Sequence, residues 1–262
     1  MSGDTQALVV VGDRFVGFAA QEGVVTVSQF LTELRAGAYE EGTARAVRAG
    51  QGVGDFEWQL VREQLRAHGL EHRMPPVRPG TELASRSECH KCSEPNALIA
   101  DLRRVDDRLF HAALRLHNDN ELLLDHQTGQ HVQGMVAVEA ARQMFLAVSE
   151  RFFASAHPER RYYYVIESMN TDFENFLFPV DARIEYLVKT ADTSDPERMS
   201  FEVEIGLFQA GRRASASRVV FSAFDERTLK PKEHRRAAQA VAHTVADTVT
   251  RAAADLREPA GV

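Results

Sequence analysis

Between Asp125 and Gln143 the chain reads DHQTGQHVQGMVAVEAARQ. Two histidines, two glycines and one glutamate stand in this stretch, the glutamate embedded among Val136, Ala137, Val138, Ala140 and Ala141. Imidazole is the side chain that ordinarily titrates nearest neutrality, and a carboxyl group in an apolar surrounding is pushed toward its protonated form. On that reading His126, on a loop, is the natural base, with His131 as the alternative. Glu139, partly desolvated, becomes a general acid usable near neutral pH. Gly134 stands where a helix should begin, and the free amides and dipole of a helix start favour developing negative charge, so an oxyanion site is expected there. Arg142 and Gln143 follow Glu139 by three and four residues and lie one helical turn on. Gln143 is placed to hold Glu139 or a bound carbonyl, and Arg142 to pair with an acid such as Asp125 or to reach across an interface.

These residues need a helix set against a sheet, and the pattern around them supplies both. Apolar and small residues recur at helical spacing from about Val132 to Phe153, and Ala137, Ala140 and Ala141 allow strands to approach closely. Upstream, ALIADLRRV and RLFHAALRL, separated by Asp106 and Asp107, predict a hairpin. Downstream, YYYVIESMNTDFENF, ARIEYLVKTAD, MSFEVEIGLFQ and ASASRVVFSAF predict four strands, with Pro179, TSDPER and Gly211 at their junctions. A strand pair, one helix and a run of strands is an α+β arrangement in which one antiparallel sheet wraps a central helix. An alanine-rich helix is expected from about His234 to Leu256.

The first ninety residues read as helical decoration after one apolar strand, LVVVGDRFVGF. Helices are predicted at Thr26 to Arg35 and Asp55 to His68, the second capped by Asp55 and ended by Gly69. HRMPPVRPGTELASRS is broken by three prolines and a glycine, and residues 72–88 are expected to be a linker. The organisation expected is a helical N-terminal extension and linker over 1–88, a sheet-and-helix domain over 89–228, and a C-terminal helix over 229–262.

With 262 residues, 44% of them hydrophobic and 26% charged, the chain has the composition of a soluble globular protein. Its net charge of −7 argues against nucleic acid as a partner. No apolar run reaches membrane-spanning length and no secretory leader is read, so a cytoplasmic location is expected. Cys89, His90 and Cys92 invite a zinc reading, but a structural site needs a fourth ligand, so no metal is expected. No phosphate loop or dinucleotide fingerprint is read, and no cofactor is expected.

The order His126, Gly129, Gly134, Glu139, Gln143 is similar to that of the hotdog-fold β-hydroxyacyl-carrier-protein dehydratases. HKCSEPNALIAD followed by DHQTGQHVQGMVAVEAARQ more closely resembles the A-factor biosynthesis hotdog family of actinomycetes, in which a histidine–lysine pair, here His90 and Lys91, precedes the first strand. The likeness covers roughly residues 89–225. Gln133 stands where both relatives usually carry proline, and a second hotdog repeat is not evident.

The resemblance implies a single hotdog domain that pairs with a second hotdog chain, as a homodimer or heterodimer, with a histidine and a carboxylate meeting across the pair. It implies a thioester substrate on an acyl carrier protein. The expected reaction is dehydration of a 3-hydroxyacyl group, using His126 or His131, Glu139 and the Gly134 amide, in polyketide or other secondary-metabolite synthesis. The alternatives are β-ketoacyl transfer to a phosphorylated hydroxyl acceptor, with Lys91 or Arg142 on the phosphate, a thioesterase, and an inactive partner subunit.

Overall fold

The computed structural model describes residues 6–39, 45–79, 82–126 and 129–255. Residues 1–5, 40–44, 80–81, 127–128 and 256–262, which include part of the expected linker and both chain ends, lie outside the described residues. Among the described residues no helix is long and apolar enough to cross a membrane.

The predicted hairpin forms as β5 (Ile99–Arg104) and β6 (Leu109–Leu114), and the four later strands as β7 (Tyr162–Phe173), β8 (Arg183–Asp192), β9 (Arg198–Gln209) and β10 (Arg212–Asp225). They make one antiparallel sheet in the order β5-β6-β8-β9-β10-β7. The helix α4 (Gly134–Phe152) lies in its curve, as a hotdog fold requires. Eleven of its residues are buried, the small ones Ala137, Ala140, Ala141 and Ala147 among them. Alanine at these positions lets the helix axis sit close to the strands. Phe145, Phe201 and Phe221 then stack into the space that remains, with centroids 4.4 and 5.0 Å apart.

The N-terminal part departs from the helical extension expected of it. Both predicted helices are present, α1 (Val27–Arg35) and α2 (Asp55–Ala67), but they flank a parallel sheet. Its strands are β1 (Gln6–Val11), β2 (Val24–Thr26), β3 (Arg45–Ala49) and β4 (Pro76–Val77), in the order β2-β1-β3-β4. α1 starts in a capping box: Thr26 Oγ1 accepts from the Gln29 amide while Gln29 Oε1 accepts from the Thr26 amide. Gly69, at φ +68°, ends α2 as expected. Asp55 is not the cap. Gly54 holds that position, and the Asp55 carboxylate instead takes Arg78 and Arg115. The expected linker contains β4 and a turn that buries Cys89.

Between β3 and α2 runs Gly50-Gln51-Gly52-Val53-Gly54, a glycine loop that the sequence reading passed over. A sheet of this order reverses direction between β1 and β3, where such folds place ligands at the carboxyl ends of the strands. Here that crevice is filled by the hotdog domain itself. The Gly52 amide (φ +80°) donates to Leu116 O at 2.6 Å, and a Cβ at Gly12 or Gly54 would strike Asn118 or His117 at 2.8 Å. Gln51, 6% exposed, joins the two layers: its amide nitrogen donates to Leu114 O and Val180 O, and its Oε1 accepts from the Leu116 amide.

C-terminal to β10, α5 (Glu226–Asp255) begins eight residues earlier than expected and passes through Pro231. Its start is fixed by buried Asp225, which accepts from the Arg227 amide and pairs with Arg160.

Gln51→Ala leaves three backbone groups of the layer junction without their partner, so the unfolding free energy should fall by roughly 2–3 kcal/mol. Urea unfolding measures this, and an unchanged midpoint would mean that the side chain carries no part of the junction.

Candidate active site

The structure brings four of the predicted site residues together on the second and third turns of α4 and the segment before β5. Glu139 accepts from Arg142 through two parallel bonds, Nε to Oε2 at 2.7 Å and Nη2 to Oε1 at 2.8 Å. Lys91 Nζ lies 2.6 Å from Oε1, and Gln143 Nε2 donates to the same oxygen at 2.9 Å. Gln143 is fully buried and also clamps the approach to β5: its Nε2 donates to Asn96 O, and its Oε1 accepts from the Leu98 amide. The expectation that Gln143 holds Glu139 therefore stands in the geometry.

The expected protonation of Glu139 does not. Burial does push the carboxyl upward, but the hydrogen bonds from Arg142, Lys91 and Gln143 outweigh it and hold the group at about 2. Glu139 is an ionised carboxylate in this arrangement, not a general acid poised near neutrality. Arg142 is committed to Glu139 rather than to Asp125.

His90 stands beside this cluster with a positive φ of 51° and pairs with Glu150 at 2.9 Å, its ring edge-on to Tyr164. His90, Arg142, Phe145, Arg161 and Tyr164 line a cavity of about 380 Å³ between α4 and the edge strand β7.

The two candidate bases lie elsewhere. His126 and His131 are exposed on the loop before α4, and neither is among the partners of Glu139. His131 packs against the Phe176 ring at 4.9 Å. Gly134 opens α4 with the Phe173 ring over it, so that a Cβ there would meet Phe173 Cε1 at 2.9 Å. Phe173 and Phe176 are 59% and 70% exposed, and Met135 next to Gly134 is 55% exposed. This apolar surface at the helix start was missed in the sequence, although the aromatic spacing in DFENFLF carried a signal for it.

A comparison with protein-family models matches residues 73–225 to AfsA, the A-factor biosynthesis hotdog domain. The chain belongs to this family. No curated protein matches the A-factor hotdog chain described here. Among solved structures it is similar to the dehydratase heterocomplex from Xenorhabdus doucetiae, at 17% identity over 55% of this chain and 91% of that one, with a TM-score of 0.40. It is also similar to a mutant thioesterase from Pseudomonas aeruginosa, at 15% identity over 48% and 81% of the two chains, with a TM-score of 0.35.

A carboxyl group whose native value is depressed from 4.5 to about 2 stabilises the fold fully above the ordinary glutamate range and loses that contribution as pH falls toward 2. The native chain should therefore lose on the order of 3 kcal/mol across this window that Glu139→Gln does not lose. Denaturant unfolding of both proteins along a pH series measures the difference, and parallel curves would refute the ionised cluster.

Proposed function

We propose that this A-factor-family hotdog chain is an acyltransferase that moves a β-ketoacyl group from a carrier thioester to a hydroxyl of a small anionic acceptor. The observation that carries this reading is the ionised Glu139 held between Lys91 and Arg142. An acceptor bearing a phosphate competes with Glu139 for those two cations. As they turn to the phosphate, the carboxylate loses the donors that depress its basicity and becomes a competent base for the acceptor hydroxyl. The acceptor oxygen then bonds to the thioester carbonyl carbon, the C–S bond breaks, and the carrier thiol leaves with the proton. First-turn amides of α4 at Gly134 face the developing oxyanion, and Phe173, Phe176 and Met135 offer the acyl chain an apolar wall.

Dehydration is the second reading, favoured by the exposure of His126 and His131. Exposed on their loop, they are placed to meet the Glu139 of a second chain paired along β7, an edge strand of the sheet. Such pairing would also cover an open strand edge.

Intact-protein mass spectrometry of acyl carrier proteins separates the two. Transfer predicts loss of the whole β-ketoacyl group only when a phosphorylated hydroxyl acceptor is added, slowed roughly hundredfold or more in Glu139→Gln, with Lys91→Ala raising KM for the acceptor more than it lowers kcat. Loss of one water from a 3-hydroxyacyl carrier would replace the transfer reading with dehydration.

A further inference from the structure

A larger cavity, about 540 Å³, lies away from Glu139, between the N-terminal parallel sheet and the outer face of the hotdog sheet. It opens beside the filled crevice, at the carboxyl ends of β3 and β4, where Gly50 and Arg78 follow those strands. The carboxyl edge of a parallel sheet is where ligands of such folds bind, and the volume is that of a small-molecule site.

Its charges are unevenly spent. Arg78 and Arg115, with side chains only 14% and 12% exposed, both reach the same oxygen of Asp55, at 2.5 and 3.0 Å. Two guanidinium groups with five N–H donors each thus share one carboxylate, which is itself mostly in solvent. Arg103 lines the cavity from β5, and among the described residues no carboxylate pairs with it. The other ionised groups of the lining are engaged: Asp181 with Arg48, Arg183 with Glu185 at 2.6 Å, and Asp101 with the Glu82 amide at 3.0 Å. His111 stands opposite Arg103 in the strand register, 3.7 Å from Glu185, with its Nε2 buried and without a hydrogen bond. Counting Asp55 and Asp101 against the three arginines leaves one positive charge to be answered. Between the arginines the walls are apolar, with Val53, Ala113 and the Phe208 ring.

We propose that this cleft binds a small organic anion, a phosphate ester or carboxylate with a short apolar body, held by Arg78, Arg103 and Arg115 and separate from the Glu139 site. The oxyanion takes the guanidinium donors that Asp55 leaves over, the body lies against Phe208 and Ala113, and the His111 nitrogen gains a partner. Because the walls come from both layers, occupancy ties the N-terminal module to the hotdog domain.

Isothermal titration calorimetry of the full chain with phenyl phosphate, phenylacetate, inorganic phosphate and phenol tests this. Saturable binding of phenyl phosphate or phenylacetate, with phenol silent, is the expected result, and which of the two binds more tightly identifies the anion. Affinity should fall about tenfold or more in Arg103→Gln and should also fall in His111→Phe, which removes the ring nitrogen offered to the ligand, while Glu139→Gln binds as the native chain does. Among the described residues Arg103 has no ion pair, so its variant should keep the native melting temperature. No saturable binding, binding unchanged in both cleft variants, or binding lost in Glu139→Gln would overturn the proposal.

Discussion

A helix enclosed by a sheet has no solvent to lend to a charge, and α4 is enclosed along most of its length. A carboxylate on it must either take up a proton or bring its own counter-charge. This chain does the second. Lys91 and Arg142 neutralise Glu139, and Gln143 supplies a third donor from the same Nε2 that donates to Asn96 O, while its Oε1 accepts from the Leu98 amide and so clamps the start of the sheet. The polar site and the placement of the first strand are thus one hydrogen-bonded unit. A change that loosens the carboxylate also loosens the strand approach.

The N-terminal module is joined to this domain by backbone contact as much as by apolar packing. Val11 and Phe15 enter the hotdog core, while a second core forms around Phe30, Trp58 and Leu65. Gly12 and Gly54 permit the close approach, because side chains at those positions would strike Asn118 and His117. A glycine-rich strand-to-helix loop here serves protein docking rather than a phosphate, and its sequence alone cannot distinguish the two uses.

Much of the hotdog half was legible. Alternation in β8 to β10, the proline and glycine punctuation and the small-residue helix each follow from local periodicity, and the elements formed where that periodicity placed them. The N-terminal sheet was not legible, because β2 is three residues long and β3, RAVRA, carries two arginines that blunt any strand pattern. Gathering of Lys91, Glu139, Arg142 and Gln143 was foreseen as a list of site residues but not as a charge balance. Burial of Glu139 could be read from its neighbours, whereas Lys91 reaches it only through the tertiary fold, and that contact reverses the direction in which the carboxyl titrates.

The segment Leu116 to Asn118 occupies the N-terminal module's crevice as a tethered ligand would. A free peptide of three residues would bind such a groove feebly, yet its covalent attachment holds it there at an effective concentration in the millimolar range or above. The crevice is accordingly filled by a segment of the same chain. Any soluble molecule seeking that crevice competes against a neighbour that never diffuses away.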